Sequence, residues 1–132
     1  MFWNSWLKKR LLADAKLLGR WGEKRTEKYL TGKGFKTLAH NFRCSGGEVD
    51  LIMTDHDRTV VFVEVKTRRD ETFAQAESAI TSVKKARIIR AAKYFAAKHK
   101  LDNRPLRFDV VTVIVPSQDK EQIRHYENAF GI

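Results

Sequence analysis

Three residues near the middle of the chain could support hydrolytic chemistry: Asp50, Glu64 and Lys66. Glu64 and Lys66 stand two residues apart in the apolar, β-branched stretch Thr59–Thr67, so in a strand both would project from the same face. Asp50 precedes Glu64 by 14 residues and lies in the preceding predicted strand of the same hairpin. This spacing allows the two carboxylates and the amine to meet at one point of a sheet.

Two carboxylates 4 Å apart repel each other by about 4 kcal/mol at an effective dielectric near 20. A bound cation would offset that repulsion, and hard oxygen ligands suit Mg²⁺ or Mn²⁺. Held by Asp50 and Glu64, such an ion would polarise a phosphate and lower the pKa of a bound water, which Lys66 would orient or deprotonate. The residues therefore predict metal-assisted phosphodiester hydrolysis. The alternative is a Glu64–Lys66 salt bridge at a strand end, with Asp50 as a turn acid.

The charge of the chain favours a polyanionic partner. Its 132 residues include 26 Lys and Arg against 16 Asp and Glu, a formal net charge of +10. The excess is concentrated, because residues 84–104 carry +7 and the first 28 residues carry +5. Each phosphate that is neutralised by Lys or Arg releases condensed counterions. We therefore expect a nucleic acid, DNA in particular, as partner; solvated helix faces are the alternative.

Cysteine content and hydropathy exclude several classes. The single Cys44 excludes an internal disulfide, and the sequence has no CxxC or Cys/His cluster to hold structural zinc. No apolar run approaches the roughly 20 residues of a membrane span. We therefore expect a cytoplasmic protein, and a membrane partner is not expected. A third interpretation, in which the Trp-rich start of the chain lies on a membrane surface, is the weakest.

An α/β (α+β) scaffold is needed to position these residues. Residues 1–18 are predicted to be an amphipathic, basic N-terminal extension, and residues 19–132 a single nuclease-like domain. Hydrophobic periodicity and glycine positions predict a mixed sheet flanked by helices. The predicted elements are a helix at 11–31, strands at 35–42, 49–53 and 59–67, a helix at 76–98, and strands at 106–115 and 122–126.

Three segments carry a recognisable pattern: Gly47-Glu48-Val49-Asp50-Leu51-Ile52, Phe62-Val63-Glu64-Val65-Lys66-Thr67-Arg68 and Arg107-Phe108-Asp109-Val110-Val111. With them the chain resembles the YraN-like family of endonucleases, within the PD-(D/E)xK superfamily that shares the restriction-endonuclease-like fold. The resemblance implies an αβββαβ core, with Asp50 and Glu64 as metal ligands and Lys66 as the catalytic lysine. Glu23 matches a glutamate that assists the metal site in archaeal Holliday-junction resolvases; by pattern alone it could equally be an exposed helix acid.

Further basic and acidic residues near these motifs have two interpretations each. Lys84, Arg68, Arg69 and Arg43 are candidate phosphate contacts, with solvated surface as the alternative. Lys84 shares a helical stripe with apolar residues, so it either reaches back to solvent or points toward the sheet. Glu48 either caps a turn or touches metal or substrate.

Two functions follow from these observations. The first is a metal-dependent endonuclease that acts on DNA, including branched or structured duplexes in repair and recombination; a junction-cleaving enzyme of this size would act as a homodimer. The second is a nucleic-acid-binding accessory protein that keeps the nuclease fold without cleaving.

Overall fold

The chain forms two helices, three strands, a third helix and two further strands, in that order. The computed structural model describes residues 5–69, 80–115 and 120–132. The described elements are α1 (Ser5–Ala13), α2 (Ala15–Gly32), β1 (Lys36–Cys44), β2 (Gly47–Thr54), β3 (Val60–Arg68), α3 (Ser82–Lys98), β4 (Leu106–Ile114) and β5 (Gln122–Phe130).

The strands form one five-stranded sheet in the order β1-β2-β3-β4-β5. Neighbouring strands are antiparallel except β3 and β4, which run parallel from Val60↔Leu106 to Arg68↔Ile114. A parallel pair needs a crossover connection, and α3 lies between these two strands in the chain. The predicted α/β class, with a mixed sheet flanked by helices, is confirmed.

The central strands β2, β3 and β4 are apolar because both of their faces are covered. On one face, Val61, Val63 and Val111 pack with residues of α1 and α2; on the other, Phe62 and Phe108 pack with α3. Leu11 and Leu18 belong to the first of these clusters. The division into residues 1–18 and 19–132 stays a prediction.

The N-terminal helix differs from the prediction of one helix over residues 11–31. The structure has two helices, and α2 begins after Asp14, whose carboxylate accepts hydrogen bonds from the Lys16 and Leu17 N–H groups at 3.0 and 3.1 Å. This is an N-cap, which satisfies backbone donors that the first turn leaves free. The aspartate therefore starts a new helix instead of continuing the first.

Two other boundaries differ from the predicted ones. Thr81 accepts a hydrogen bond from the Lys84 N–H at 3.1 Å and caps α3, whereas the helix was expected to begin near residue 76; residues 76–79 lie outside the described residues. The last strand continues to Phe130, four residues beyond its predicted end.

Gly22 lets α2 lie directly on β3, beside the predicted site. A Cβ built at Gly22 would overlap Thr67 Oγ1 and lie 3.0 Å from Thr67 Cβ. At Gly19, one turn earlier in the same helix, a Cβ would meet nothing within 4 Å. The absence of a side chain at Gly22 is therefore what sets the distance between this helix and the sheet.

We expect Gly22→Ala to destabilise the protein by about 1–3 kcal/mol, because the added methyl overpacks a buried contact. Gly19→Ala is the control and should stabilise by up to about 1 kcal/mol, since alanine is the better helix former. Urea denaturation followed by circular dichroism measures both free energies of unfolding. Equal changes in the two variants would contradict the close approach of α2 and β3.

Within the three described ranges, no helix combines the length and the apolar character that crossing a bilayer requires.

Candidate active site

The site lies where the backbone pairing of β2 and β3 ends. The pairing runs as far as Leu51↔Val63, so Asp50 and Glu64 are the first residues beyond it. There the Asp50 carboxylate substitutes for a backbone partner, since its Oδ2 accepts a hydrogen bond from the Val65 N–H at 2.8 Å. Both carboxylates are thus placed at an opening between two strands.

The strand that carries Asp50 is irregular at this point. Val49 packs in the cluster under α3, whereas Leu51 packs in the cluster under α2, although residues i and i+2 of a regular strand share one face. On the facing strand β1, Asn41 has φ of 46°, a conformation that asparagine adopts more readily than most residues. Because the alternation of side chains is interrupted between Val49 and Leu51, Asp50 lies between the face of the sheet that α2 covers and the face that α3 covers.

Glu64 is the buried acid of the site. Only 3% of its side chain is exposed, and its Oε1 has no hydrogen-bond partner. Burial, followed by the charge of the neighbouring Asp50, raises the pKa of Glu64 to about 8 against the opposing charges of Lys84 and Lys66. The carboxyl therefore holds a proton at neutral pH unless a cation takes the place of that proton.

Two lysines approach the same Glu64 oxygen. Lys66 Nζ lies 3.3 Å from Glu64 Oε2, and Lys84 Nζ lies 3.8 Å from it. Lys84 reaches in from the first turn of α3 and also donates to Glu48 Oε1 at 2.8 Å. Burial alone would lower the pKa of Lys84, but the hydrogen bond to Glu48 and the charges of the neighbouring carboxylates outweigh it and raise that pKa.

These contacts bear on the sequence interpretations of Lys84 and Glu48. Lys84 points toward the sheet instead of reaching back to solvent, and its proposed contact with nucleic acid stays a prediction. Glu48 forms an ion pair with Lys84 at 2.8 Å, which neither of its two interpretations included, and its contact with metal or substrate stays a prediction. The hydrogen bond from Lys84 lowers the pKa of Glu48 against the effect of burial.

Glu23 extends the acidic cluster from α2. It lines the same cavity as Asp50 and Glu64. Burial and then the charge of Asp50 raise the pKa of Glu23, and a hydrogen bond with Asn41 opposes them. Sequence reasoning did not single out Asn41 as a site residue. Its one local signal is that it is an asparagine in a strand, a residue type that favours turns over sheets.

The carboxylates line a cavity of about 610 Å³ between α2 and the sheet. Lys66, Arg68 and Arg69 line it as well. Arg43 does not; it lines a neighbouring cavity of about 410 Å³, which shares Glu23 with the first. Six of the eight predicted site residues therefore line one cavity: Glu23, Asp50, Glu64, Lys66, Arg68 and Arg69. Of the other two, Lys84 contacts Glu64 and Arg43 lines the neighbouring cavity. Their catalytic and binding roles stay predictions.

The donor set suits a hard divalent cation. The Glu64 Oε1 is buried without a partner beside a second carboxylate, and Mg²⁺ binds through one or two carboxylates while keeping several waters. Among the residues that the structure describes, no group of three or more His, Cys, Asp or Glu is arranged to hold a metal ion. A two-carboxylate site of Asp50 and Glu64, with remaining positions left to water and phosphate, is the arrangement that these side chains fit.

We expect Glu64→Gln to stabilise the metal-free protein by about 1–3 kcal/mol at pH 8.5, and to change it little near pH 4. Because the folded-state pKa is raised, the wild type is stabilised below the ordinary glutamate value of 4.5 and loses that stability as the pH rises through about 8. The glutamine side chain does not titrate in this pH range, so the variant does not lose that stability at pH 8.5. Urea denaturation in EDTA at both pH values measures the difference.

The same variant tests the metal. Millimolar Mg²⁺ should raise the denaturation midpoint of the wild type more than that of Glu64→Gln, since a ligand that binds only the folded state stabilises by mass action.

A Glu64→Gln protein less stable than wild type at both pH 8.5 and pH 4 would contradict the description of Glu64 as a buried, destabilised acid.

Comparison with known proteins gives one consistent result. The model of the family described as "Uncharacterised protein family UPF0102" matches residues 22–113. A UPF0102 protein of Geotalea uraniireducens is 42% identical over 120 residues, covering 91% of this chain and 94% of the relative. One of Clostridium acetobutylicum is 43% identical over 118 residues, covering 89% and 96%, and one of Alcanivorax borkumensis is 40% identical over 121 residues, covering 91% and 96%. The chain therefore belongs to the UPF0102 family, the YraN-like family that its motifs indicate.

Proposed function

We propose that the protein is a metal-dependent endonuclease that hydrolyses phosphodiester bonds of DNA. The observation that carries the proposal is the buried Glu64 Oε1, without a partner, beside Asp50 in an open cavity that Lys66 also lines. The site also differs from a simple salt bridge, because a second acid, Asp50, lies beside Glu64 and its charge helps raise the Glu64 pKa, which favours a bound cation there. The order Asp50…Glu64-Val65-Lys66 also matches the motif of the PD-(D/E)xK superfamily, and the proposal includes membership of it.

Asp50 and Glu64 would hold Mg²⁺ or Mn²⁺. When bound, the ion would supply Lewis acidity at the phosphate and lower the pKa of a coordinated water. Asp50 is held for this task by its hydrogen bond from the Val65 N–H. Glu64 is held by burial, with its second oxygen facing both lysines.

Lys66 is the residue that would handle the proton and the developing charge. Its side chain is 19% exposed and lies on the cavity, so its amine can reach a water or a phosphate oxygen as well as Glu64. There it would orient the attacking water and stabilise the negative charge that grows on the phosphate in the transition state.

The remaining residues would position these three and the DNA. Lys84, fixed by Glu48, balances the charge of the acids from behind, while Arg68 and Arg69 line the cavity where a phosphate backbone would pass. Glu23 would hold a water of the ion. A cytoplasmic site of action and a homodimer on branched DNA are further parts of the proposal.

The test is a cleavage assay on supercoiled plasmid, linear duplex and four-way junctions, with Mg²⁺, Mn²⁺ or EDTA. We expect nicking that needs the metal and is absent in EDTA. Binding to the same substrates is measured in EDTA by fluorescence anisotropy. Binding without cleavage of any substrate with either metal would overturn the proposal in favour of a non-catalytic nucleic-acid-binding protein.

A further inference from the structure

One face of α3 presents basic residues to solvent. The helix contains no Asp or Glu in its 17 residues. Its apolar side, which includes Ile88, Ala91 and Phe95, is buried against the sheet. The opposite side, here called the basic face, consists of the exposed residues Arg87, Arg90, Lys93, Tyr94 and Lys98.

The basic face begins beside the candidate active site. Lys84, in the first turn of the helix, contacts Glu48 and Glu64, and Arg87 lies one turn further, 3.7 Å from Glu48. From Arg87 to Lys98 the helix rises about 16 Å, at 1.5 Å per residue. At 3.4 Å per base pair, that length matches about five base pairs of duplex.

The positive charge of α3 is compensated at its start but not within the rest of the helix. Glu48 pairs with Lys84 and Arg87, and Glu64 also lies near Lys84. Further along, α3 itself has no Asp or Glu to pair with Lys93 or Lys98. A polyanion would offset the repulsion among these cations.

Packing holds part of the basic face in place. Arg90 Nη1 donates to the Gly46 carbonyl oxygen of the β1–β2 turn at 2.9 Å. The ring of Tyr94 lies 6.1 Å from that of Phe42 on β1, and Lys98 Nζ lies 6.0 Å from the Tyr94 ring. These contacts fix the middle of the face to the sheet, so less conformational entropy is lost when a ligand binds.

We infer that the basic face binds the phosphate backbone of a duplex arm of the DNA substrate, on the opposite face of the sheet from α2. The inference rests on the proposed function and specifies its substrate as DNA with a duplex arm of at least about five base pairs on the α3 side. Lys93 and Lys98 would contact phosphates near the end of that arm.

The experiment compares Lys93→Ala/Lys98→Ala with a control of equal charge, Lys9→Ala/Lys28→Ala. Lys9 and Lys28 are exposed on α1 and α2, which cover the other face of the sheet. Anisotropy titrations in EDTA use a four-way junction with arms of fifteen base pairs, or a hairpin oligonucleotide whose single duplex arm has three base pairs. With long arms, we expect the first variant to bind roughly tenfold more weakly and its salt slope, log K against log[salt], to fall by about 2.

The control variant should bind within about twofold of wild type, and the hairpin with its three-base-pair arm should abolish the difference between the variants. Equal weakening by both pairs would overturn the inference, because only total charge would then matter. The inference would also be overturned if the Lys93→Ala/Lys98→Ala variant lost its binding to phosphatidylglycerol vesicles but bound DNA as tightly as wild type. Since these titrations contain no metal, absence of cleavage would overturn the proposed function and leave standing only the binding of a duplex arm by the basic face. Absence of wild-type DNA binding would overturn both.

Discussion

Replacing Asp50 with asparagine should lower metal-dependent DNA cleavage by about 10³-fold and leave DNA affinity in EDTA within about twofold of wild type. The amide keeps the shape of the side chain and a carbonyl oxygen for the Val65 N–H, which lies 2.8 Å from Asp50 Oδ2. The substitution would remove the charge that we propose to hold the cation, and electrostatic stabilisation of a transition state is commonly worth about 10²–10³-fold or more per group. Single-turnover nicking rates measure the effect.

Lys66 gives a second test of the same chemistry. Lys66→Ala should reduce the rate by about 10²–10⁴-fold, and Lys66→Arg should not restore it, because the planar guanidinium fork does not place its donors where the compact ammonium does. Asp102→Asn is the matched control for Asp50→Asn, since Asp102 is an exposed acid in the loop after α3. Undiminished cleavage by the Asp50 and Lys66 variants would show that the nicking comes from another site or another protein.

Asp109→Ala should destabilise the protein by about 3–5 kcal/mol, without involving the candidate active site. Asp109 is fully buried and accepts hydrogen bonds from Arg107 at 2.9 and 3.0 Å and from the Asn128 N–H at 3.0 Å. The His125 ring lies 2.7 Å from its Oδ2. Without Asp109, Arg107 keeps its ion pair with Asp55 at 3.0 Å but loses two hydrogen bonds, and the Asn128 N–H loses its acceptor. Breaking a buried charged network in this way accounts for the magnitude. Denaturant titration at pH 7 measures the change.

The pH dependence of the free energy of unfolding tests whether the ionised Asp109 carboxylate causes this stabilisation. Burial raises the pKa of Asp109, but the hydrogen bonds from His125, Arg107 and the Asn128 N–H outweigh it, and the net pKa is lowered from 3.8. The ionised carboxylate therefore stabilises the fold above its ordinary pKa, and this contribution is lost as the pH falls through the lowered folded value. Asp109→Ala should lose less stability on acidification than wild type, whereas Asp102→Ala should match wild type within about 0.5 kcal/mol. Parallel acid profiles for wild type and Asp109→Ala would contradict this account.

The element types were predictable because their signals are local. β-Branched, apolar runs predict the buried strands β3 and β4, and the alternation of side chains in a strand puts Glu64 and Lys66 together. Together with the helical periodicity of two other segments, such runs predicted a helix, three strands, a helix and two strands. The split of the first helix at Asp14 was missed, although its signal is also local: an aspartate that can cap a helix stands inside a helical pattern.

The candidate site was predictable only in outline. Residue types and spacing single out Asp50, Glu64 and Lys66, whereas the partners of these residues come from distant parts of the chain. Lys84 meets Glu48 across 36 residues, and Asn41 reaches Glu23 on a helix. No periodicity in the sequence carries this information, because such contacts depend on how α2 and α3 are placed over the sheet.

By itself, the sequence of this protein determined the α/β order of its elements, its family and the two acids and the lysine on adjoining strands, since each depends on patterns within a few residues. Only the tertiary structure decided that Lys84 turns inward, that the Glu64 pKa is raised and that Asp50 lies where two strands stop pairing. Burial and electrostatic coupling arise from groups that are far apart in the chain, and their strength is set by the low-dielectric surroundings that packing creates.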